Sequence, residues 1–224
     1  QAACADEAIL VHCDRRGVNE RNAVAHRDVI EQIARRRVVE SVDDDIGAAR
    51  QVGYVLAAEL RARGVDYSFT PVLDLDYGPS RVIGDRAFHR QSAVVIALAA
   101  ALGEGLHLAG MGSCGKHFPG HGYVIPDSHV ELPVDDRAFE AMQDDIEPYR
   151  QLPLDGVMAA HVIYNCIDCN TAVFSNKWIS YLRDDIKFDG VVFTDDLSMA
   201  GAGVVGGMIN RVETAYNAGC DMLL

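Results

Sequence analysis

Short apolar runs recur along the chain, and segments with helical spacing separate them. The runs are residues 8–11, 67–74, 112–117, 156–162, 190–195 and 221–224. Their apolar residues are continuous rather than alternating, which is typical of strands buried on both faces of a parallel sheet. The intervening helical patterns therefore predict an α/β fold.

The helical segments have recognisable ends. They are residues 46–60 closed by Gly64, the strongly apolar 93–109, the amphipathic 137–152 with its acidic residues outside, 175–187 capped by Ser175, and 207–218 before Gly219. Serine is a preferred N-cap, and glycine is the usual residue just past a helix end.

Polar residues at the ends of four predicted strands decide between an open sheet and a barrel. Asp74, His117, His161 and Asp195 each stand at the C-terminal end of a different strand. An open doubly wound sheet gathers its site near one switch point, whereas a (β/α)8 barrel of the TIM type collects every strand end on one face. The barrel is therefore our prediction. Since such a barrel usually takes about 250 residues, we expect residues 1–224 to form one barrel domain that lacks at least one of its ends.

The chain is strongly acidic, with 33 Asp and Glu against 20 Lys and Arg and a formal net charge of −13. Such a surface repels nucleic acid and anionic lipid, so neither is expected as a partner. No apolar run reaches the length of about 18 residues that crosses a bilayer. The six cysteines lack the spacing of a disulfide framework, which favours reduced thiols and a cytoplasmic setting.

A glycine- and proline-interrupted stretch carries the densest group of ionisable residues. Residues 115–122 (GKHFPGHG) lead to Asp127 and His129, which predicts a short strand ending near His117 and then a polar loop. Asp127, two residues before His129, can hold the imidazole in one tautomer and prepare a proton donor. An Asx-type turn beside an exposed histidine is the alternative.

Further polar residues fit a substrate site at the same face. Asp195 follows an apolar strand, where a carboxylate can act as a nucleophile or a metal ligand; a helix N-cap is the alternative. Lys116 and His117 can bind sugar hydroxyls or a carboxylate. Arg86, like Arg81 in the loop after Asp74, can bind substrate oxygens. His117, His121, His161 and Asp195 together could instead be the ligands of a metal-dependent barrel hydrolase.

Four motifs carry a resemblance to a known family. They are residues 116–122 (KHFPGHG), 127–129 (DSH), 158–164 (MAAHVIY) and 193–199 (FTDDLSM). In this combination the chain closely resembles the bacterial β-N-acetylglucosaminidases of glycoside hydrolase family 3. The resemblance implies a single-domain cytoplasmic barrel that releases terminal N-acetylglucosamine (GlcNAc) from the muropeptide fragment GlcNAc-1,6-anhydro-MurNAc in peptidoglycan recycling. We expect a monomer that needs no metal or cofactor.

The resemblance also implies a role for each matching residue. Asp195 matches the nucleophile of a retaining glycosidase, His129 the general acid/base, and Asp127 the partner of that histidine. The sugar-binding positions are matched by Arg86, Lys116 and His117.

One stretch departs from the family pattern. Just after the strand that matches residues 8–11, the family has an acidic Asp-x-Glu-Gly-Gly-Arg run. This chain has residues 12–21 there, with His12 in place of the sugar-holding aspartate. Against the family pattern we expect the barrel to be incomplete at both ends. Two alternatives to the glycosidase therefore stay open, a non-catalytic truncated barrel fragment and a metal-dependent barrel hydrolase.

Overall fold

The computed structural model describes residues 42–80, 82–129 and 131–224. The predicted strand at 8–11, the divergent segment 12–21 and Arg81 lie outside the described residues.

The helices lie where the apolar spacing predicts them. They are α1 (Val42–Arg61), α2 (Ser92–Leu108), α3 (Gln143–Gln151), α4 (Asn176–Ser180) and α5 (Met208–Ala218). The predicted cap of α4 is confirmed, because the Ser175 hydroxyl accepts a hydrogen bond from the backbone N–H of Trp178 at 3.2 Å. Gly219 ends α5 with a φ of 109°.

Two helices are shorter than the pattern predicts. Residues 137–152 form a 3-10 turn at Phe139–Met142 before α3 begins. After α4 the chain widens into a π turn over Tyr181–Asp185 rather than continuing as α-helix.

Parallel strands form the sheet that carries the site. They are β1 (Cys114–Phe118), β3 (Gly156–Ala159) and β5 (Val191–Thr194), paired in the order β1-β3-β5. Parallel bridges extend this order on both sides, from Tyr67 to Gly112 and Val72 to Lys116 before it and from Phe193 to Met222 after it. Among the described residues the spatial order never reverses, so no switch point of a doubly wound sheet is present. This is the strand order of a barrel wall.

A second pair of strands was not predicted from the sequence. β2 (Val134–Asp135) and β4 (Ile163–Tyr164) pair in parallel beyond the ends of β1 and β3. Each has two residues, which is too short for a periodic signal.

Buried side chains on one face of the sheet lie in layers. Phe69, from the segment that bridges to β1, is buried together with Cys114 of β1, Met158 of β3 and Phe193 of β5. Residues two apart along a strand share a face, so Lys116 belongs one layer above Cys114. By the same rule Asp195 belongs one layer above Phe193, towards the C-terminal ends of the strands.

Helices α1 and α2 cross without room for a side chain at the contact. A Cβ at Gly105 would overlap the backbone carbonyl of Arg50, while a Cβ at Gly103 in the same helix would meet nothing. We expect Gly105→Ala to lower the free energy of unfolding by about 2 kcal/mol or more, because neither backbone can move aside. Gly103→Ala is the matched control and should be neutral or stabilising by up to about 1 kcal/mol, since alanine favours helix. Urea unfolding of both variants measures the difference, and equal stabilities would contradict the close contact.

Candidate active site

Buried Asp74 organises the start of the glycine-rich loop. Its carboxylate accepts hydrogen bonds from the backbone N–H of His117 at 3.2 Å and of His121 at 2.6 Å. It also contacts Nδ1 of the His117 ring at 2.7 Å. Burial by itself raises the pKa of Asp74, but His117 and His121 outweigh it and hold that pKa below its ordinary value. The carboxylate therefore fixes the His117 ring and directs Nε2 away from Asp74, a role that the sequence left open.

Asp195 stands directly after β5, half-buried. Burial raises the pKa of its carboxyl, but nearby His117, His161 and Lys116 more than offset this and hold it below the ordinary value. The backbone N–H of Asp196 donates to Asp195 Oδ1 at 2.9 Å. Asp195 is thus ionised at neutral pH, as a carboxylate nucleophile must be.

The structure does not support the alternative in which Asp195 is a helix N-cap. Asp196 Oδ1 accepts the N–H of Ser198 at 2.7 Å within a turn, and the next helical residues are the 3-10 helix Ala200–Val205. Asp195 itself caps no helix.

Asp127 and His129 form a hydrogen-bonded pair. His129 Nδ1 lies 2.7 Å from Asp127 Oδ1, and the His129 backbone N–H donates to the same oxygen at 2.9 Å. The Asx-type turn and the orienting contact are therefore both present. Burial raises the pKa of Asp127, yet the hydrogen bonds from His129 lower it overall. An ionised Asp127 holds the Nδ1–H tautomer and leaves Nε2 as the outward nitrogen.

His121 and His161 are both buried. His161 Nε2 donates to the carbonyl oxygen of Asp196 at 3.0 Å, and burial lowers the pKa of its ring. His121 Nε2 contacts the Ser128 hydroxyl at 3.1 Å, and burial lowers its pKa to about 4.

The low pKa of His121 predicts acid sensitivity. The unfolded chain binds a proton near pH 6.5 while the folded protein resists it until about pH 4, so stability falls as the pH drops through that window. The loss attributable to one such group is about 1 kcal/mol per pH unit. We expect His121→Gln, which keeps a hydrogen-bonding side chain, to lessen the decline in stability between pH 6.5 and 4.5. Urea unfolding at several pH values measures this, and parallel profiles for the two proteins would contradict it.

Arg86 lies in the loop that follows Asp74, as the sequence indicated. It ends the 3-10 turn Gly84–Arg86, and its Nε donates to the carbonyl of Val82 at 3.0 Å. Lys116 stands on β1 beside His117, and its charge reaches Asp195.

A buried ion-pair network was missed by the sequence reasoning. Arg137 contacts Asp135 at 2.7 Å and Asp145 at 2.9 Å, and its guanidinium stacks on Tyr123 at 4.1 Å. The prediction that the acidic residues of 137–152 face outward is wrong for Asp145, which is 1% exposed and packs under Gly120. Burial raises the pKa of Asp145 to about 6, against the opposing charge of Arg137. No sequence signal separates this aspartate from its exposed neighbour Asp144, because both lie in the first turn of one helix.

Two further findings concern ligands and membranes. Within residues 42–80, 82–129 and 131–224, no three His, Cys, Asp or Glu side chains converge in a way that would hold a metal ion. Across the same residues, no helix is both long and apolar enough to cross a bilayer.

Comparison with known proteins gives consistent matches. The model of the glycosyl hydrolase family 3 N-terminal domain matches residues 34–224. A β-hexosaminidase of Aromatoleum aromaticum is 59% identical over 182 residues, covering 79% of this chain and 51% of its own length. One from Bordetella parapertussis is 58% identical over 181 residues, with the same coverage. The chain thus spans about half the length of the curated relatives it matches.

A solved structure is similar over most of the chain. NagZ from Neisseria gonorrhoeae, in complex with N-trifluoroacetyl-D-glucosamine, is 46% identical with a TM-score of 0.78, over 88% of this chain and 57% of NagZ. The domain is of the TIM-barrel type. With the family model matched over residues 34–224, this chain belongs to glycosyl hydrolase family 3 through the N-terminal domain of that family.

Proposed function

We propose that this chain is the catalytic domain of a retaining exo-β-N-acetylglucosaminidase. Its substrate would be GlcNAc-1,6-anhydro-MurNAc, with or without peptide, from which it releases GlcNAc in cytoplasmic peptidoglycan recycling. Relatives with more than half of their aligned residues identical are named β-hexosaminidases. A similar solved protein, NagZ, binds a modified glucosamine.

In the first step Asp195 is the nucleophile. Its ionised carboxylate attacks C1 of the sugar, and a C1–O bond to the enzyme forms as the glycosidic C1–O bond breaks. His129, as imidazolium, gives its Nε2 proton to the leaving oxygen. Asp127 stabilises the positive ring through the 2.7 Å contact at Nδ1. Retaining enzymes need nucleophile and acid/base groups roughly 5 Å apart across the bond.

In the second step the neutral His129 acts as a base. Nε2 takes a proton from water, the water oxygen attacks C1, and the bond from C1 to Asp195 breaks. The sugar leaves with the configuration it had in the substrate, because two inversions cancel. Both enzyme groups return to their starting charge.

Binding of the sugar falls to polar groups at the same face. Arg86, Lys116 and His117 can donate hydrogen bonds to sugar oxygens, and the charge-assisted bonds from Arg86 and Lys116 are stronger than neutral ones. Asp74 supports this by holding the His117 ring from behind at 2.7 Å.

The single observation that most supports the proposal is the His129–Asp127 pair, a preorganised proton donor on the strand-end face that carries an ionised Asp195. The test is hydrolysis of 4-nitrophenyl N-acetyl-β-glucosaminide by the purified protein, with NMR identifying the anomer released first. We expect the β-anomer. No hydrolysis would favour the non-catalytic fragment, and first release of the α-anomer would exclude a retaining mechanism.

Treatment with a chelator tests the remaining alternative, a metal-dependent hydrolase. We expect the rate to be unchanged after dialysis against EDTA, since the proposed steps use only side chains. Loss of activity that added metal restores would favour the metal-dependent hydrolase.

A further inference from the structure

Ser128, between Asp127 and His129, is held from two sides. It is 1% exposed, whereas the Asp127 and His129 side chains are 25% and 34% exposed. Its hydroxyl contacts His121 Nε2 at 3.1 Å, and its carbonyl oxygen accepts the backbone N–H of Gly201 at 3.0 Å. The segment that carries the proposed acid/base group is therefore anchored at its middle residue.

Gly201 belongs to the segment that follows β5 and begins with Asp195. It lies in the 3-10 helix Ala200–Val205. A Cβ at this position would stand 3.0 Å from the Cβ of His161 and 3.1 Å from the Ser128 carbonyl oxygen. A side chain here would have to displace one of them, so the loop after Asp195 and the segment bearing His129 are in direct backbone contact.

Arg211 on α5 fixes the same loop from outside. Its Nη1 donates to the carbonyl of Leu197 at 2.5 Å, and its Nε donates to the carbonyl of Gly206 at 2.9 Å. These two carbonyls stand on either side of Gly201 in sequence. Hydrogen bonds from a guanidinium are charge-assisted and geometrically fixed, so the loop is held relative to α5 as well as to β5.

We propose that Gly201 and Arg211 are positioning residues that set where His129 stands relative to Asp195, acting through the carbonyl of Ser128. Neither would touch the sugar. The inference rests on the proposed function for its kinetic consequence, but the backbone contact itself does not. A Cβ at 201 would force its neighbours to shift by a few tenths of an ångström. Since a displacement of about 1 Å in a catalytic group can cost on the order of 10²-fold in rate, we expect this smaller shift to cost about tenfold.

The chain offers a matched pair of variants. Gly203 lies in the same 3-10 helix, and a Cβ there would make only an ordinary 3.5 Å contact with Arg211. Neither glycine has a left-handed φ, so alanine is conformationally acceptable at both. With a 4-methylumbelliferyl glycoside we expect kcat/KM to fall about tenfold in Gly201→Ala. In Gly203→Ala the change should stay below about twofold, as for a surface substitution.

A second substrate distinguishes a displacement of His129 from a general disruption of the active site. Dinitrophenolate is a good leaving group that departs without a proton, so attack by Asp195 on a 2,4-dinitrophenyl glycoside needs little help from the acid. We expect Gly201→Ala to lose no more than about twofold in kcat/KM on this substrate, since acid catalysis is the part removed. Equal losses on both substrates would overturn the proposal. Arg211→Lys keeps the positive charge but cannot form the paired guanidinium hydrogen bonds. We expect the same selective loss in this variant, but a smaller one, and an equal loss on both substrates would also contradict the proposal.

Hydrogen exchange tests the contact without using activity. The backbone N–H of His129 donates to Asp127 Oδ1, and that of Glu131 donates to the Asp127 carbonyl at 2.8 Å. We expect these amides to exchange about tenfold faster in Gly201→Ala, as protection follows the cost of local opening, and at the unaltered rate in Gly203→Ala. Equal exchange in both variants would overturn the inference. An unaltered protein that hydrolyses nothing would overturn the proposed function alone, because exchange would still decide the contact.

Discussion

Asp195→Ala is expected to abolish turnover of an aryl N-acetyl-β-glucosaminide, with a fall in kcat of about 10⁴-fold or more, the scale seen when an enzyme loses its nucleophile. The carboxylate stands at the end of β5, and its pKa is held below the ordinary value by His117, His161 and Lys116 against the effect of burial. Without it no glycosyl-enzyme can form. Release of the phenol over time measures the effect.

The neighbouring carboxylate provides the control for this variant. Asp196 Oδ1 accepts the N–H of Ser198, and an asparagine oxygen can accept the same bond. We expect Asp196→Asn to keep activity within about threefold, as for a change that preserves the local hydrogen bond. Full activity in Asp195→Ala would show that another group attacks C1.

The product formed with azide tests the assignment of Asp195 as the nucleophile. In Asp195→Ala the space left by the carboxylate admits this small anion, which attacks C1 of a dinitrophenyl glycoside as the phenolate leaves. A single displacement inverts the anomeric centre, so the product should be the α-glycosyl azide. A β-azide would contradict attack from the Asp195 side.

Asp127→Ala is expected to slow turnover about 10²-fold, within the range that general acid–base catalysis contributes, while Asp195 stays reactive. The alanine removes both the acceptor for the His129 backbone N–H and the carboxylate 2.7 Å from Nδ1. Asp127→Asn keeps an oxygen for the turn and removes only the charge, so its loss should be smaller. The ratio between the two variants separates orientation of the ring from stabilisation of its cation.

Mass spectrometry checks that the nucleophile is intact in this variant. With a dinitrophenyl glycoside, attack by Asp195 should continue while removal of a proton from water is impaired, so a covalent sugar adduct should accumulate on Asp127→Ala. No adduct should form on Asp195→Ala. Wild-type rates in Asp127→Ala would show that the Asp127–His129 pair has no role in catalysis.

Local patterns were sufficient for most of the architecture. Continuous apolar runs at 112–117, 156–162 and 190–195 correspond to β1, β3 and β5, because burial on both faces of a parallel sheet demands such runs. The Asp127–His129 contact was also predictable, since a hydrogen bond between residues two apart depends only on the turn between them. The lengths of α3 and α4 were overestimated, because periodicity does not register the 3-10 and π turns beside them.

By itself, then, the sequence determined the parallel α/β plan, the strands whose ends lie near His117 and Asp195, and the Asp127–His129 contact. Only the tertiary structure decided that Asp74 holds His117, that Asp145 is buried against Arg137, and that Gly201 meets Ser128. The partners in these contacts are 43, 8 and 73 residues apart. The physical reason is that periodicity and turn chemistry act between near neighbours, whereas these contacts exist only once strand register and loop packing bring the segments together.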